Sequence, residues 1–334
     1  MRAAYYEHKG PAHDVIVVGD MPDPAPGPGE VLVRVSASGV NPSDTKNRSG
    51  WGGYKDMPYA RIVPHNDGAG VIEAVGPGVS ETRLNERVWL YEAQRDGRAF
   101  GTAAELVSVP ERKAVRLPDE ASFELGACLG VPAMTAHRCL FANGGLQGRI
   151  VLVQGGGGAV GHAAIQLARW AGAYVITTVS RPVQAQAARE AGAHAVIDRK
   201  QDDVVSRIQA ATSGRGVDLV VEVAFEANLE TNLKVLKVGG VIATYASGLP
   251  DASPQIPFYR LIFQGITVNF VLVYVMSQEA HTAAIRDINA AIRAGALRPF
   301  IGRRFALSEL AAAHDGQDSG DVVGNIVIDM MEGG

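Results

Sequence analysis

The stretch "VLVQGGGGAVGHAA" (151–164) constrains the fold of this chain more than any other. Four consecutive glycines stand between an apolar run, "IVLVQ", and a run with helical spacing that begins near Ala159. A flexible Gly-rich linker is not expected between a buried strand and an amphipathic helix. The run also contains Gly156-x-Gly158-x-x-Gly161. At that spacing the first glycine permits a tight turn, the second lets a pyrophosphate approach bare backbone, and the third lets helix and strand pack closely. N–H groups at the helix start, around Gly158, Ala159 and Val160, are placed to receive phosphate charge. Gly156, Gly158, Ala159, Val160 and Gly161 are therefore the expected dinucleotide cradle.

The surrounding pattern agrees. Apolar runs at 150–154, 174–179, 194–198, 218–224, 239–246 and 266–276 alternate with helical stretches, most of them ending at a glycine. Such alternation predicts an α/β fold with a doubly wound parallel sheet. The first ~125 residues differ, with short alternating stretches such as "EVLVRVSASGV" (30–40) separated by Pro-Gly turns, as in a β-barrel. "SFELGACLGVPAMTAHRCLF" (122–141) has helical spacing, with Ser122 as N-cap. After 276 come one long helical run, a short helix and a last strand, expected to fold back onto the β-rich part.

The strand after the glycine turn indicates the cofactor. An NAD site places Asp or Glu about 20 residues past the fingerprint, on the ribose 2′-hydroxyl. Here the positions 19 and 20 past Gly161 are Ser180 and Arg181. A hydroxyl and a guanidinium suit a 2′-phosphate, and Arg199, after the third strand, can join them. The pattern favours NADPH; solvated arginines are the alternative.

A formal net charge of −4 and the lack of a long basic run argue against nucleic acid or membrane partners. "MRAAYYEHKGPAHDV" has no apolar core of a secretory signal, and Cys128 and Cys139 are too few for a disulfide framework. A cytoplasmic location is expected. The His residues have no metal spacing, His162 reads as a helix-surface residue, and Glu222, Glu226 and Glu230 read as a solvated face.

Beyond these readings, "ASGVNPSDTKNRSG" (37–50), "GAGVIEAVGPGV" (68–79), "GACLGVPAMTAHRCL" (126–140) and "GGGGAVGHAAIQLA" (155–168) resemble the medium-chain dehydrogenase/reductase superfamily, and within it the zinc-independent quinone oxidoreductases related to zeta-crystallin. The resemblance runs nearly end to end. It implies a GroES-like β-barrel catalytic domain (1–124, completed by 266–334) and a Rossmann NADPH-binding domain (125–265). Zinc-dependent relatives hold catalytic zinc where this sequence has Asn41, Asn66 and Val131, which supply neither thiolate nor imidazole nor carboxylate. The resemblance further implies Asn41 near the nicotinamide ribose and catalytic cleft, with Asp44 in the same loop. It puts Thr135, Ser247, Gly248, Phe270, Val271 and Asn325 on the cofactor. Trp51, Tyr54 and Tyr59 follow the "RSG" turn and either stack on a quinone or pack the cleft wall, stacking being the reading favoured for Trp51. Lys46 replaces a common aromatic, Gln184 a common Lys, and Arg199 a common Tyr.

The expected activity is metal-free hydride transfer from NADPH to a quinone. An enone or enoyl double-bond reductase, and a non-enzymatic NADPH-binding structural or regulatory protein, are the alternatives. A homo-oligomer, dimer or tetramer, is expected through "VNFVLVYVM" (268–276).

Overall fold

A computed structural model describes residues 1–52, 55–248 and 252–330. It divides into two compact units, Met1–Pro132 with Ile301–Gly334, and Ala133–Phe300.

The first unit opens with strand β1 (Arg2–Tyr5), the turn α1 (Ala12–Val15), β2 (Val17–Asp20), β3 (Glu30–Val40), α2 (Pro42–Ser49) and β4 (Asp67–Val75). It continues through β5 (Arg87–Leu90), β6 (Leu106–Pro110), β7 (Ala114–Arg116) and α3 (Phe123–Gly126). The alternation in "EVLVRVSASGV" becomes β3, whose Val31, Val33 and Val35 face a core with Ile72, Val88, Leu90, Val107 and Val109. Each such side chain contributes roughly 1.5–3 kcal/mol by leaving water. One edge of β3 is shared: residues 30–34 pair with β6, and residues 37–40 with a strand from the end of the chain. The other edge pairs with β4 throughout.

The second unit contains α4 (Met134–Phe141), β8 (Ile150–Val153), α5 (Ala159–Trp170), β9 (Tyr174–Val179), α6 (Pro182–Glu190), β10 (Ala195–Asp198), α7 (Val204–Ala211), β11 (Val217–Glu222) and α8 (Phe225–Val235). β12 (Leu236–Thr244), α9 (Phe258–Phe263), β13 (Thr267–Phe270) and α10 (Gln278–Arg293) complete it. The six strands run parallel in the order β10-β9-β8-β11-β12-β13. Strand order reverses beside β8, so the glycine turn lies at the topological switch point, where ligands of such sheets bind. Gly172, Gly192 and Gly214, which follow α5, α6 and α7, all take positive φ, as helix-ending glycines do.

The chain then returns to the first unit as β14 (Ile301–Ala306), α11 (Leu310–Ser319) and β15 (Asn325–Asp329). β15 runs parallel to β14 and antiparallel to β3, completing a seven-stranded sheet.

The unit boundaries differ from the expected 1–124, 125–265 and 266–334. Residues 267–270 pair with β12 as the sixth parallel strand, and α10 packs on α4 and α5, so the return comes at Ile301. The first boundary falls at Pro132, inside a π-helical turn (Leu129–Ala133) that interrupts the helical run expected over 122–141. Proline lacks the N–H that a continuous helix needs there. Ser122 caps the first piece as expected, accepting from Leu125 N at 3.2 Å. Among the described residues no helix is long and apolar enough to cross a membrane.

One close approach fixes the β3–β4 pairing: a Cβ on Gly70 would lie 1.9 Å from the Arg34 carbonyl oxygen. Gly70→Ala should therefore lower unfolding stability by about 1–3 kcal/mol, measured as a reduced urea midpoint.

Candidate active site

In the first unit the site is built where β3 ends. Asn41 is the N-cap of α2, with Pro42 at the first helical position, and Asp44 in the first turn reaches back to accept Asn41 N–H at 2.8 Å. Its other oxygen accepts from Asn66 Nδ2 at 3.0 Å. Asp67, the first residue of β4, accepts on one oxygen from both Asn41 Nδ2 and Val131 N–H, each at 2.8 Å. Asn41, Asn66 and Val131, far apart in sequence, thus converge on two carboxyls. Asn41, Asp44, Asn66 and Asp67 are all buried.

Burial pushes Asp44 up to about 6, against hydrogen bonds from Asn41 and Asn66 and the charge of Arg95. Burial, and then the Asp44 charge, hold Asp67 well above the usual carboxylate range. Its second oxygen is buried without a hydrogen-bond partner among the described residues. Zinc does not fit this set. Both amide nitrogens are committed as donors to carboxyls, Val131 offers an aliphatic side chain, and among the described residues no three His, Cys, Asp or Glu side chains group as ligands.

Other residues expected here are placed as follows. Ile326 pairs with Val40, so the register carried one step sets Asn325 opposite Asn41. Trp51 is half-buried and one face of its indole takes Lys46 Nζ at 4.2 Å, a cation–π contact rather than a bare stacking surface. Tyr59 packs against the small core of Tyr6, Val15 and Ile62. Tyr54 lies outside the described residues.

The second unit holds the nucleotide cradle, and the fit of a dinucleotide can be judged glycine by glycine. A Cβ on Gly156 would meet Thr177 Oγ1 at 2.2 Å, and one on Gly161 would meet the Gly155 carbonyl at 2.3 Å. Both are therefore bare because strand, turn and helix pack together. A Cβ on Gly158 would make only an ordinary contact, 3.5 Å from the Gly155 carbonyl oxygen, so packing does not require this glycine. Gly158 is also the N-cap of α5 and has no side chain to cap the first turn. The N–H groups of Ala159 and Val160 lack intrahelical acceptors and suit phosphate oxygens. The sequence reading left Gly155 and Gly157 without roles, and the structure supplies them. Gly155 has φ +74, and a Cβ on Gly157 would strike Gln184 at 2.5 Å.

Ser180 and Arg181 follow β9, and Arg199 follows β10. Asp198 pairs with Val179, so the next step of that register brings Arg199 beside Ser180. Ser180 N–H and Oγ both donate to Gln184 Oε1, at 3.0 and 3.2 Å. Thr135 is buried in α4. Ser247 Oγ, beyond β12, is buried without a partner among the described residues, and Gly248 beside it has φ +149. Val271 is buried and donates its N–H to the Thr244 carbonyl, while Phe270 is 78% exposed. The side-chain-free N-cap at Gly158, the bare helix start and the orphaned Ser247 hydroxyl fit a dinucleotide.

Two sequence readings are overturned. Glu222 is not part of a solvated helix face: it ends β11, fully buried, and accepts from Ala224 N, Asn228 Nδ2 and Asn232 Nδ2. Asn232 in turn accepts from Gln154, and Gln154 from Thr178, whose hydroxyl accepts from Gly155 N–H. This buried chain ties the glycine turn to the end of β11, and reading the sequence missed it. Its one signal was a polar residue ending each apolar strand, Gln154 after "IVLV" and Glu222 after "DLVV". His162 is likewise buried, hydrogen-bonded to Gln166 at 2.8 Å, and pushed down to about 4 by burial.

Fold and site together define an oxidoreductase scaffold with a dinucleotide unit and a separate β-rich unit carrying a buried polar cluster. Residues 27–119 match the alcohol dehydrogenase GroES-like domain, and residues 159–290 match the zinc-binding dehydrogenase family. The chain is 32% identical to the quinone oxidoreductase of Rattus norvegicus over 299 residues, 89% of this chain and 87% of the relative. It is 29% identical to the 2-haloacrylate reductase of a Burkholderia species, covering 98% of each chain. A mycobacterial protein solved in complex with NADPH is 28% identical with a TM-score of 0.85, covering 99% of this chain and all of that one. The chain belongs to the quinone oxidoreductase family of the medium-chain dehydrogenase/reductase superfamily.

Two outcomes test these assignments. Gly158→Val should lower the thermal midpoint by only a few degrees, the cost of an aliphatic N-cap, yet weaken NADPH binding by calorimetry, whereas Gly161→Ala should lower the midpoint further because its Cβ would strike the Gly155 carbonyl. For Asp44 the sign follows from its raised value. The native state keeps this proton up to about pH 6 while the unfolded chain releases it near 3.8, so its contribution to stability falls as pH rises through that window. Asp44→Asn removes the titration, so from about pH 4 to pH 7.5 the variant should gain about 2–3 kcal/mol relative to the unsubstituted protein, measured by urea unfolding.

Proposed function

We propose that the protein is an NADPH-dependent quinone reductase that transfers hydride directly, without a metal. The observation that carries this reading is the donor set at Asn41, Asn66 and Val131, which is turned inward onto Asp44 and Asp67 and offers no Lewis-acid site. An acceptor that needs no metal polarisation suits such a site, and a quinone is one because its product is aromatic. NADPH, when bound, supplies the hydride. The chain's own residues hold it: Gly156, Gly158, Ala159, Val160 and Gly161 at the pyrophosphate, and Ser180, Arg181 and Arg199 at the 2′-phosphate. Thr135, Ser247, Gly248, Phe270, Val271 and Asn325 serve the nicotinamide half, with Asn41 at its ribose. Asp44 orients Asn41, and Trp51 forms part of the acceptor wall.

A second reading has its own support. The Burkholderia relative is by name a reductase of 2-haloacrylate, a carboxylate, and Lys46, half-buried on Trp51, would suit an anionic acceptor with an activated double bond. An NADPH-binding protein without turnover is the third.

We assign a second copy of the chain to the open edge of the parallel sheet. β13 ends the strand order, and Tyr259 (72%), Phe263 (81%), Phe270 (78%) and Val275 (74%) are exposed beside it. An unprotected apolar edge strand can continue its ladder across a twofold axis.

Steady-state NADPH oxidation against panels of quinones, enones and 2-substituted acrylates separates the readings. Quinones should turn over fastest; tight NADPH binding with no turnover of any acceptor would overturn both enzymatic readings. Arg181→Ala should weaken NADPH at least tenfold while leaving NADH within about twofold, because only NADPH carries the extra phosphate. Equal losses by calorimetry would refute that contact. Phe263→Asp should shift the light-scattering mass toward the monomer.

A further inference from the structure

His65 is a non-glycine residue at φ +79, fully buried, and immediately precedes Asn66 and Asp67. Side chains rarely occupy that left-handed region without compensation. The imidazole spans two elements: Nδ1 lies 2.8 Å from Ser38 Oγ on β3, and Nε2 lies 2.9 Å from His314 Nε2 on α11. Ser38 Oγ lies 2.8 Å from Thr102 Oγ1, which is 2.6 Å from the Asp67 carbonyl oxygen.

The far end of this chain fixes every proton in it. A carbonyl only accepts, so Thr102 donates its single hydroxyl proton to Asp67. Ser38 must then donate to Thr102, and His65 Nδ1 must be an N–H that donates to Ser38. Both imidazoles are neutral, because burial holds them well below their ordinary range. His65 Nε2 is therefore a bare acceptor, and His314 must donate to it from Nε2–H. The one group left over is His314 Nδ1, and it is the ring nitrogen buried without a partner.

α11 also holds the other side of the cluster. Four residues after His314, Asp318 pairs at 2.7 Å with buried Arg48, which lies on the helix that Asn41 caps. Arg48 also donates to the Gly10 carbonyl at 2.9 Å.

We propose that His314 is a positioning residue for the reaction: through a one-directional chain of His65, Ser38 and Thr102 it fixes the Asp67 main chain, and with it the carboxyl that orients Asn41 and Val131. This rests on the reading of the Asn41–Asp67 cluster as the reacting site.

Two measurements test it independently of turnover. Nitrogen NMR of isotope-labelled imidazoles should show His65 as the Nδ1–H tautomer and His314 as the Nε2–H tautomer, although free imidazole side chains favour Nε2–H. A His65 Nε2–H signal would overturn the proposal. In Asn-labelled protein, Thr102→Val and His314→Leu should each shift the side-chain amide resonance of Asn41, and Thr102→Ser should not. An unmoved Asn41 signal in a folded His314→Leu variant would also overturn it.

The kinetic arm uses whichever acceptor the protein reduces. His314→Leu should lower kcat roughly ten- to a hundredfold with NADPH affinity within about twofold, the scale expected of a misplaced reacting group. His314→Gln keeps an N–H near Nε2 and should recover most of the loss. Equal losses of kcat and NADPH affinity, or a Gln variant no better than Leu, would mark His314 as structural only. Absence of turnover in the unsubstituted protein would refute the proposed activity, while the tautomer and the Asn41 resonance would still decide the chain of hydrogen bonds.

Discussion

The first unit depends on a carboxyl taken out of water. Asp67 begins β4, and through one oxygen it joins the N-cap of α2 to the π-turn at Val131. Removing one acid from water is costly, and a second acid, Asp44, shares Asn41 with it. The cluster answers with amide donors and with protonation, since both acids hold their protons above the ordinary carboxylate range. In zinc-dependent members of the superfamily a cation at this place would neutralise such acids. Here two asparagines and a backbone N–H do part of that work, and the rest falls to the proton on Asp67.

The second unit meets a similar demand with an ionisable group that is fully hydrogen-bonded. Glu222 closes β11 and receives three donors, and through Asn232, Gln154 and Thr178 it reaches the N–H of Gly155. The glycine turn is bare toward the expected ligand yet is held from behind by side chains of β9, β11 and α8 and by Gln154, just past β8. Each unit thus pairs a stripped or donor-lined surface with a buried polar network that fixes it.

Much of this was legible before the fold was known. The glycine spacing, the β-α alternation and the missing acid after β9 are local signals, and the cradle and parallel sheet follow from them. The return point to the first unit comes later than expected: residues 267–270 join the parallel sheet as the β-α alternation predicts, but that α10 packs on α4 and α5 is a long-range contact no local pattern reveals. Glu222 was misread because its i,i+4 neighbours Glu226 and Glu230 suggested a helix face, whereas Glu222 belongs to the strand before the helix. His162 was misread because one imidazole in a helical pattern does not reveal which face is covered.

By itself the sequence determined the glycine turn and the parallel, doubly wound sheet around it, since turn geometry and hydrophobic period are properties of neighbouring residues. It also determined which metal ligands are lacking, since that is a matter of residue type. Only the tertiary structure decided that Asn41, Asn66 and Val131 converge on the carboxyls of Asp44 and Asp67. It alone decided that His65 meets His314, 249 positions along the chain, with one allowed direction for every proton between them. Those facts depend on register across β3, β4 and β15 and on how α11 packs, and no run of adjacent residues encodes either.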